Sequence, residues 1–178
     1  MAKYAVLLRG VNVGGHGKLA MPDLRRVLES LGYMDVSTYL QSGNAVITTS
    51  DGDPERVSRR ISDGLLRELG ISPDVLVRTG AELATLVADN PFSEAVAQPK
   101  LLHVIFLSAQ PDAGHVDIET ADGEFSIGDR AVYLRYRVSP GQSRLADLVL
   151  RPLLRGRPDL TTTARNWNTV EALHKMTN

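Results

Sequence analysis

Residues 3–31 read KYAVLLRGVNVGGHGKLAMPDLRRVLESL, and this stretch decides the fold. Residues 4–8 form an apolar run without alternation, which is typical of a strand buried on both faces. Leucine or valine then stands at positions 24, 27, 28 and 31, the spacing of an amphipathic helix. Pro22 suits the first turn of that helix, and Gly32 follows its end. The glycine-rich loop, residues 9–18, joins the two elements, so the chain is predicted to open as strand, loop and helix.

The next segments continue this pattern in the order strand, strand, helix, strand. Residues 36–41 and 45–49 are predicted strands of a hairpin, because Ser42-Gly43-Asn44 has the composition of a tight turn. Asp53-Pro54 begins a second helix, which ends at Gly70, and residues 74–78 form a fourth strand. Residues 81–89 then predict a linking helix, and residues 92–100 a loop.

The same order of elements recurs in the second part of the chain. Strands are predicted at 101–107, 124–127 and 131–137, with a short one at 161–163, and Gly128-Asp129-Arg130 forms a hairpin turn. Residues 110–120 fit a partly helical segment. Residues 143–154 fit a helix in which Pro152 causes a kink or an early end. A last helix runs from 167 or 168 to 176, and Asn168 with Glu171 matches a capping box.

These elements predict an α+β fold: two ferredoxin-like β-α-β-β-α-β halves in one compact domain, with linking and C-terminal helices. The domain covers residues 1–178. Its halves are residues 1–79 and 100–178, and the linking helix and loop occupy residues 80–99. The order of the elements carries this interpretation, since the halves share no obvious sequence identity.

Composition excludes several classes of function. The chain has 178 residues, is 43% hydrophobic and 23% charged, and carries a formal net charge of −1, so no global charge attracts nucleic acid or membrane. The absence of cysteine excludes disulfides, thiolate catalysis and cysteine-ligated metal. No apolar run approaches the roughly 20 residues of a membrane span, and no signal peptide precedes the first strand. We therefore expect a cytoplasmic protein without membrane partners.

The predicted topology brings three polar elements to one edge of the first sheet. Strands one and two run parallel with strand three between them, so the glycine-rich loop should lie beside the 42–44 turn and the start of the first helix. Backbone N–H groups, Arg9, Lys18 and a helix N-terminus suit a small anionic or nucleotide-like ligand. Arg165 and Asn166 are candidate contacts from the second half. The predicted binding residues are Arg9, Gly10, Asn12, Gly14, Gly15, Lys18, Ser42, Asn44, Arg165 and Asn166.

Standard nucleotide fingerprints do not match this loop. A Walker loop needs glycine where Asn12 stands and serine or threonine where Leu19 stands. A dinucleotide pattern can be written over residues 15–20, but it begins well beyond the strand and lacks the acidic residue after strand two. An alternative is that the glycines only allow close backbone packing, as in a non-catalytic interaction protein. Asparagine and glycine at 43–44 are also ordinary hairpin residues.

A second alternative is nucleic-acid binding. Tyr133, Arg135 and Arg137 alternate along one strand face, as in modules that stack on bases. Catalysis and metal binding have less support. The four histidines lack ligand spacing, His103 fits a core position, and His16 is the one candidate acid–base residue. We find no catalytic constellation and expect no metal and no cofactor.

Several motifs occur together in a characteristic order. They are Arg9 to Gly15, Lys18 with Met21, Gln41 to Asn44, Asn90-Pro91-Phe92 and Arg165 to Thr169. With them the chain closely resembles the bacterial domain-of-unknown-function family 1697 over nearly its whole length. Ala164 is a departure, since the family often has threonine there. The resemblance implies a cytoplasmic protein with two ferredoxin-like halves, and it implies no established activity, substrate or cofactor.

Overall fold

The computed structural model describes residues 1–14, 17–112, 118 and 120–178. Eight strands and five α-helices are assigned within this part of the chain. In order they are β1 (Ala2–Leu8), α1 (Met21–Ser30), β2 (Met34–Tyr39), β3 (Asn44–Thr49), α2 (Pro54–Leu69), β4 (Val75–Thr79), α3 (Gly80–Ala88), β5 (Leu102–Leu107), β6 (Gly123–Gly128), β7 (Ala131–Tyr136), α4 (Leu145–Leu153), β8 (Thr162–Asn166) and α5 (Trp167–Thr177). Short 3₁₀ helices cover Ser93–Ala97 and Pro140–Gln142.

The first sheet has the strand order β2-β3-β1-β4, and all neighbouring strands are antiparallel. This is the ferredoxin-like order that the sequence predicts. Because β1 and β2 both run antiparallel to β3, they are parallel to each other, and their C-terminal ends lie at the same edge. Leu7 stands opposite Asn44, and Leu8 opposite Val75. The start of β3 and the start of β4 therefore flank the end of β1.

Local sequence explains both ends of α2. The Asp53 carboxylate accepts hydrogen bonds from the backbone N–H groups of Glu55 and Arg56 at 3.0 and 3.2 Å, which caps the first turn. Gly70 ends the helix in a left-handed conformation with φ of 67°. Between these caps, Val57, Ile61 and Leu65 face inward and are fully buried. They pack with α1 and the strands into one apolar core.

The second sheet repeats the first, with the order β6-β7-β5-β8 and antiparallel neighbours throughout. The α+β fold with two four-stranded sheets is thus confirmed. Helix α4 packs Leu145, Val149 and Leu153 into this unit's core, and it ends one residue after Pro152. Residues 113–117 and 119, in the segment predicted to be partly helical, lie outside the described residues.

Two details differ from the sequence-based expectations. The segment 92–100, predicted as loop, contains a 3₁₀ turn, and β8 extends to Asn166. The cap of α5 is Asn166 and not Asn168: the Asn166 Oδ1 atom accepts hydrogen bonds from the Thr169 N–H and hydroxyl groups, both at 3.1 Å. The helix begins at Trp167, within the predicted range, and its cap lies at Asn166 because β8 runs directly into the helix.

By compactness the chain divides into two units. The first unit comprises residues 1–85 and 171–178, and the second comprises residues 86–170. The boundaries fall within α3 and within α5. The division into halves 1–79 and 100–178 stays a prediction about domains. No helix of the described residues is both long enough and apolar enough to cross a membrane.

Candidate functional site

The glycine-rich loop is closed at its neck. The Asn12 N–H group donates to the Gly17 carbonyl oxygen at 3.0 Å. Gly17 has φ of 62°, and a Cβ atom there would overlap the Gly10 carbonyl oxygen and lie 3.3 Å from the Cα atom of Val11. The two ends of the loop therefore touch, and only glycine permits this approach at position 17.

The Asn12 side chain fastens this loop to its surroundings. Its Nδ2 atom donates to the carbonyl oxygens of Leu19 and Gln41, both at 2.7 Å. Its Oδ1 atom accepts from the Leu19 N–H group at 2.9 Å. Asn12 itself has a positive φ of 55°, which asparagine tolerates better than most residues. The amide thus bridges the loop and the β2–β3 turn, and its role is to position the backbone.

The β2–β3 turn packs directly on the end of β1. The Leu8 N–H group donates to the Gly43 carbonyl oxygen at 2.8 Å, and a Cβ atom on Gly43 would overlap the side chains of Val11 and Leu8. Asn44 is fully buried, and its Nδ2 atom donates to the Tyr39 carbonyl and to the Ser42 hydroxyl oxygen, each at 3.0 Å. Ser42 and Asn44 therefore stabilise the turn from inside.

A cleft of about 460 Å³ lies between the loop and the segment before β4. It is lined by Arg9, Gly10, Val11 and Gly17 from the loop side and by residues 71–74 from the other side. The Arg9 N–H group donates to the Asp74 carbonyl oxygen at 2.9 Å, and the Arg9 Nη1 atom lies 3.2 Å from the Asp74 Oδ2 atom. Both side chains remain about half exposed. The cleft thus presents one cation and one anion to solvent.

The structure brings most of the predicted first-half residues together at one sheet edge. Arg9 and Gly10 line the cleft, and Asn12, Ser42 and Asn44 support the backbone beside it. Gly14 has φ of 58°, and a Cβ atom added there would have none of the described residues within 4 Å, apart from its chain neighbours; Lys18 is exposed. Gly15 and His16 lie outside the described residues.

Six of the eight described residues that line the cleft are not among the predicted binding residues: Val11, Gly17 and the four residues 71–74. Gly17 was seen as part of the loop but not as a site residue. Asp74 was seen only as the start of a strand. Asp74 could have been inferred from the predicted topology, because β4 runs antiparallel to β1 and its first residues must therefore lie near Arg9.

The two candidates from the second half have structural partners within the second unit. The Arg165 side chain is 8% exposed, and its Nη1 atom donates to the Thr163 hydroxyl and to the Ala164 carbonyl, each at 2.8 Å. Burial lowers the pKa of Arg165 to about 10. Asn166 caps α5. A ligand contact by either residue stays a prediction.

The Tyr/Arg strand face does not present a stacking surface. Tyr133 is 3% exposed, its hydroxyl donates to the Leu86 carbonyl at 2.7 Å, and burial, followed by the charge of Asp89, raises its pKa to about 12. The Arg135 Nη1 atom lies 2.7 Å from Glu94 and 3.2 Å from Glu124. The Arg137 guanidinium also pairs with Glu124, at 3.1 Å. The expectation of an open aromatic face is wrong because the Tyr133 ring is buried and its hydroxyl is bonded to the Leu86 carbonyl.

His103 has hydrogen-bond and aromatic partners in the second unit. The His103 Nε2 atom lies 3.1 Å from the Lys100 carbonyl oxygen, its ring meets Tyr136 edge to face at 5.2 Å, and burial lowers its pKa. A ring nitrogen this close to a carbonyl oxygen carries a proton, so the His103 ring is held by a hydrogen bond and an aromatic contact within the second unit. Within the described part of the chain, no three acidic or histidine side chains form a metal site.

Comparison with known proteins gives a family and a fold. The model of the family described as Protein of unknown function (DUF1697) matches residues 1–133. No protein of curated function matches the chain. The conserved bacterial protein SP0830 from Streptococcus pneumoniae is 19% identical and superimposes with a TM-score of 0.72 over 99% of both chains. At that identity the likeness is one of fold.

Proposed function

The chain belongs to the family described as Protein of unknown function (DUF1697), and from that premise we propose that it binds a small anionic or nucleotide-like ligand in the cleft beside its glycine-rich loop. The family description names no activity, so the proposal rests on the site itself. We expect this binding to take place in the cytoplasm, as the sequence predicts.

One observation supports the proposal. In the cleft of about 460 Å³, the exposed guanidinium of Arg9 lies beside loop backbone that is held in place by hydrogen bonds. This volume lies within the range of small-molecule sites. A guanidinium presents five N–H donors in a planar fork, which matches the oxygen geometry of phosphate and carboxylate groups. Toward the described residues, the Arg9 guanidinium donates through its Nη1 atom to Asp74. Its other N–H donors make no hydrogen bond to those residues and can bind a ligand that enters the cleft.

The residues around the cleft divide into two roles under this proposal. Arg9 and the backbone of Gly10 contact the ligand, since both line the cleft. Gly14 and Lys18 remain candidate contacts from the same loop. Asn12 and Asn44 act as positioning residues, because their side-chain donors are taken by backbone carbonyls or by a neighbouring hydroxyl. Positioning of this kind reduces the entropy that a ligand must otherwise lose on binding.

The test uses ligand-induced thermal stabilisation of the full chain. Wild type, Arg9→Ala and Arg59→Ala are each titrated with inorganic phosphate, AMP and ATP. Arg59 is a matched control, because it is exposed and lines a different cleft on α2. At least one ligand should raise the Tm of wild type and of Arg59→Ala, and should leave Arg9→Ala unchanged. If none raises the Tm of wild type, or if Arg9→Ala responds equally, the proposal fails.

A further inference from the structure

The backbone corner beside this cleft is the place where the end of the first strand meets the hairpin turn, and it occurs once in each unit. At the end of β1, the Leu8 N–H donates to the Gly43 carbonyl at 2.8 Å; at the end of β5, the Leu107 N–H donates to the Arg130 carbonyl at 2.9 Å. Gly43 and Arg130 both adopt positive φ, at 72° and 45°. The backbone of the hairpin turn therefore meets the end of the first strand in the same way in both units.

A side-chain amide fastens each copy of the corner at the same place. In the first unit, the Asn12 Nδ2 atom donates at 2.7 Å to the carbonyl of Gln41, two residues before Gly43. In the second unit, the Gln110 Nε2 atom donates at 3.3 Å to the carbonyl of Gly128, two residues before Arg130. The Gln110 Oε1 atom also accepts from the Arg130 N–H at 2.6 Å. Comparing the second corner with the first therefore indicates which contacts the shared fold requires.

The two copies carry different residues at the pair of positions beside the end of the first strand, which are 9 and 74 in the first unit and 108 and 161 in the second. Arg9 N–H donates to the Asp74 carbonyl at 2.9 Å, and Ser108 N–H donates to the Thr161 carbonyl at the same distance. The first pair adds an ion pair between its side chains, whereas the Thr161 N–H donates to the Ser108 hydroxyl at 2.9 Å. Because the second corner has the uncharged pair Ser108 and Thr161 at the equivalent positions, the backbone contact there forms without an ion pair. Exposed ion pairs also add little to stability. The charges at positions 9 and 74 therefore need a different explanation.

We propose that Arg9 and Asp74 together recognise a zwitterionic ligand, in which a phosphate monoester meets Arg9 and a primary ammonium group meets Asp74. This inference rests on the proposed function and names its ligand class. Both side chains line the cleft and both are about half exposed. A ligand with only an anionic group meets Arg9 but also faces the Asp74 carboxylate. A ligand that carries both charges replaces the internal pair by two new pairs and leaves no like charges in contact.

The backbone bond between residues 9 and 74 makes this arrangement selective. Since the Arg9 N–H is held by the Asp74 carbonyl, the two side chains start from adjacent backbone positions, and an anion bound at Arg9 lies near the Asp74 carboxylate. Asp74 is therefore the specificity-determining residue, because its carboxylate weakens the binding of simple anions and strengthens the binding of ligands that also carry an ammonium group. The 3.2 Å separation between the charged atoms also requires that the two ligand charges lie close together.

The experiment compares three matched probes by isothermal titration calorimetry: phosphoethanolamine, ethyl phosphate and ethanolamine. Wild type should bind phosphoethanolamine roughly two- to fivefold more tightly than ethyl phosphate, as one exposed ion pair allows. Asp74→Asn should lose this preference and bind both phosphates alike. The double variant Arg9→Ser/Asp74→Thr copies the second corner, so it should fold as wild type and bind none of the probes. Ser108→Ala should bind as wild type.

The outcomes separate the two proposals. If wild type binds ethyl phosphate as tightly as phosphoethanolamine, the zwitterion inference is overturned while anion binding stands. If Asp74→Asn keeps the preference, Asp74 is not the reader of the ammonium group and the inference also fails. If wild type binds neither phosphate, and the nucleotide titrations are also negative, the proposed function itself is refuted. The isosteric Asp74→Asn variant keeps the test valid even if the double variant does not fold.

Discussion

Replacing Gly17 by alanine should destabilise the protein, because the added Cβ atom would overlap backbone atoms at the neck of the loop. Gly17 has φ of 62°, and its added Cβ atom would overlap the Gly10 carbonyl oxygen. Left-handed backbone in a residue with a Cβ atom costs about 1 kcal/mol. Relief of the overlap must move backbone and weaken the bond from the Asn12 N–H to the Gly17 carbonyl, which adds about 2 kcal/mol. We therefore expect Gly17→Ala to lower the free energy of unfolding by about 3 kcal/mol.

Gly14→Ala provides the matched control, because Gly14 has a similar φ of 58° and an added Cβ atom there would have no neighbouring atom within 4 Å. It carries the backbone cost without the overlap, so the expected loss is about 1 kcal/mol. Urea denaturation followed by circular dichroism measures both losses. Differential scanning calorimetry should show Tm decreases of roughly 6–12 °C for Gly17→Ala and roughly 2–4 °C for Gly14→Ala. If the two variants differ by less than about 0.5 kcal/mol, the neck contact does not hold the loop and this reasoning is refuted.

Two further predictions concern the second unit and the C-terminal helix. Burial lowers the pKa of His103 below its unfolded value of 6.5, so its contribution to stability is full above pH 6.5 and is lost as the pH falls from there toward the folded pKa. The Tm of wild type should therefore drop more between pH 7.5 and pH 5.5 than that of His103→Gln, and parallel curves would contradict this. Asn166→Ala should lower the free energy of unfolding by about 1 kcal/mol through loss of the α5 cap, whereas exposed Asn168→Ala should have almost no effect. If Asn168→Ala destabilises the protein more than Asn166→Ala does, the helix is capped by Asn168, as the sequence predicts.

Much of the fold follows from local patterns. The buried strand at 4–8, the capped helix from Asp53 to Gly70 and the hairpin turn at 42–44 each carry a signal within a few residues. Their order implies the strand order β2-β3-β1-β4, and that order places the loop beside the turn. The juxtaposition of Asn12 with Gln41 was thus predictable as proximity, although the bond between them was not.

What could not be predicted depends on tertiary partners. Tyr133 and Arg135 alternate as an exposed strand face would, but a central strand covered on one side gives the same pattern. Asp74 lies 65 residues from Arg9, so only the register between β1 and β4 pairs them. From its place in the glycine-rich loop, Asn12 is predicted to contact a ligand. Its side chain instead links the carbonyl oxygens of Leu19 and Gln41, whose positions depend on the folded backbone.

The closed neck of the glycine-rich loop places Asn12 and Gly17 within hydrogen-bonding distance of each other. Because the two ends touch and Asn12 fastens them to the β2–β3 turn, whatever sequence joins them begins and ends at the same point in space. Lengthening such a segment costs little, since the entropy of loop closure grows only slowly with length. The position is therefore a natural graft point, where a peptide or an affinity tag can be displayed without moving the strands on either side.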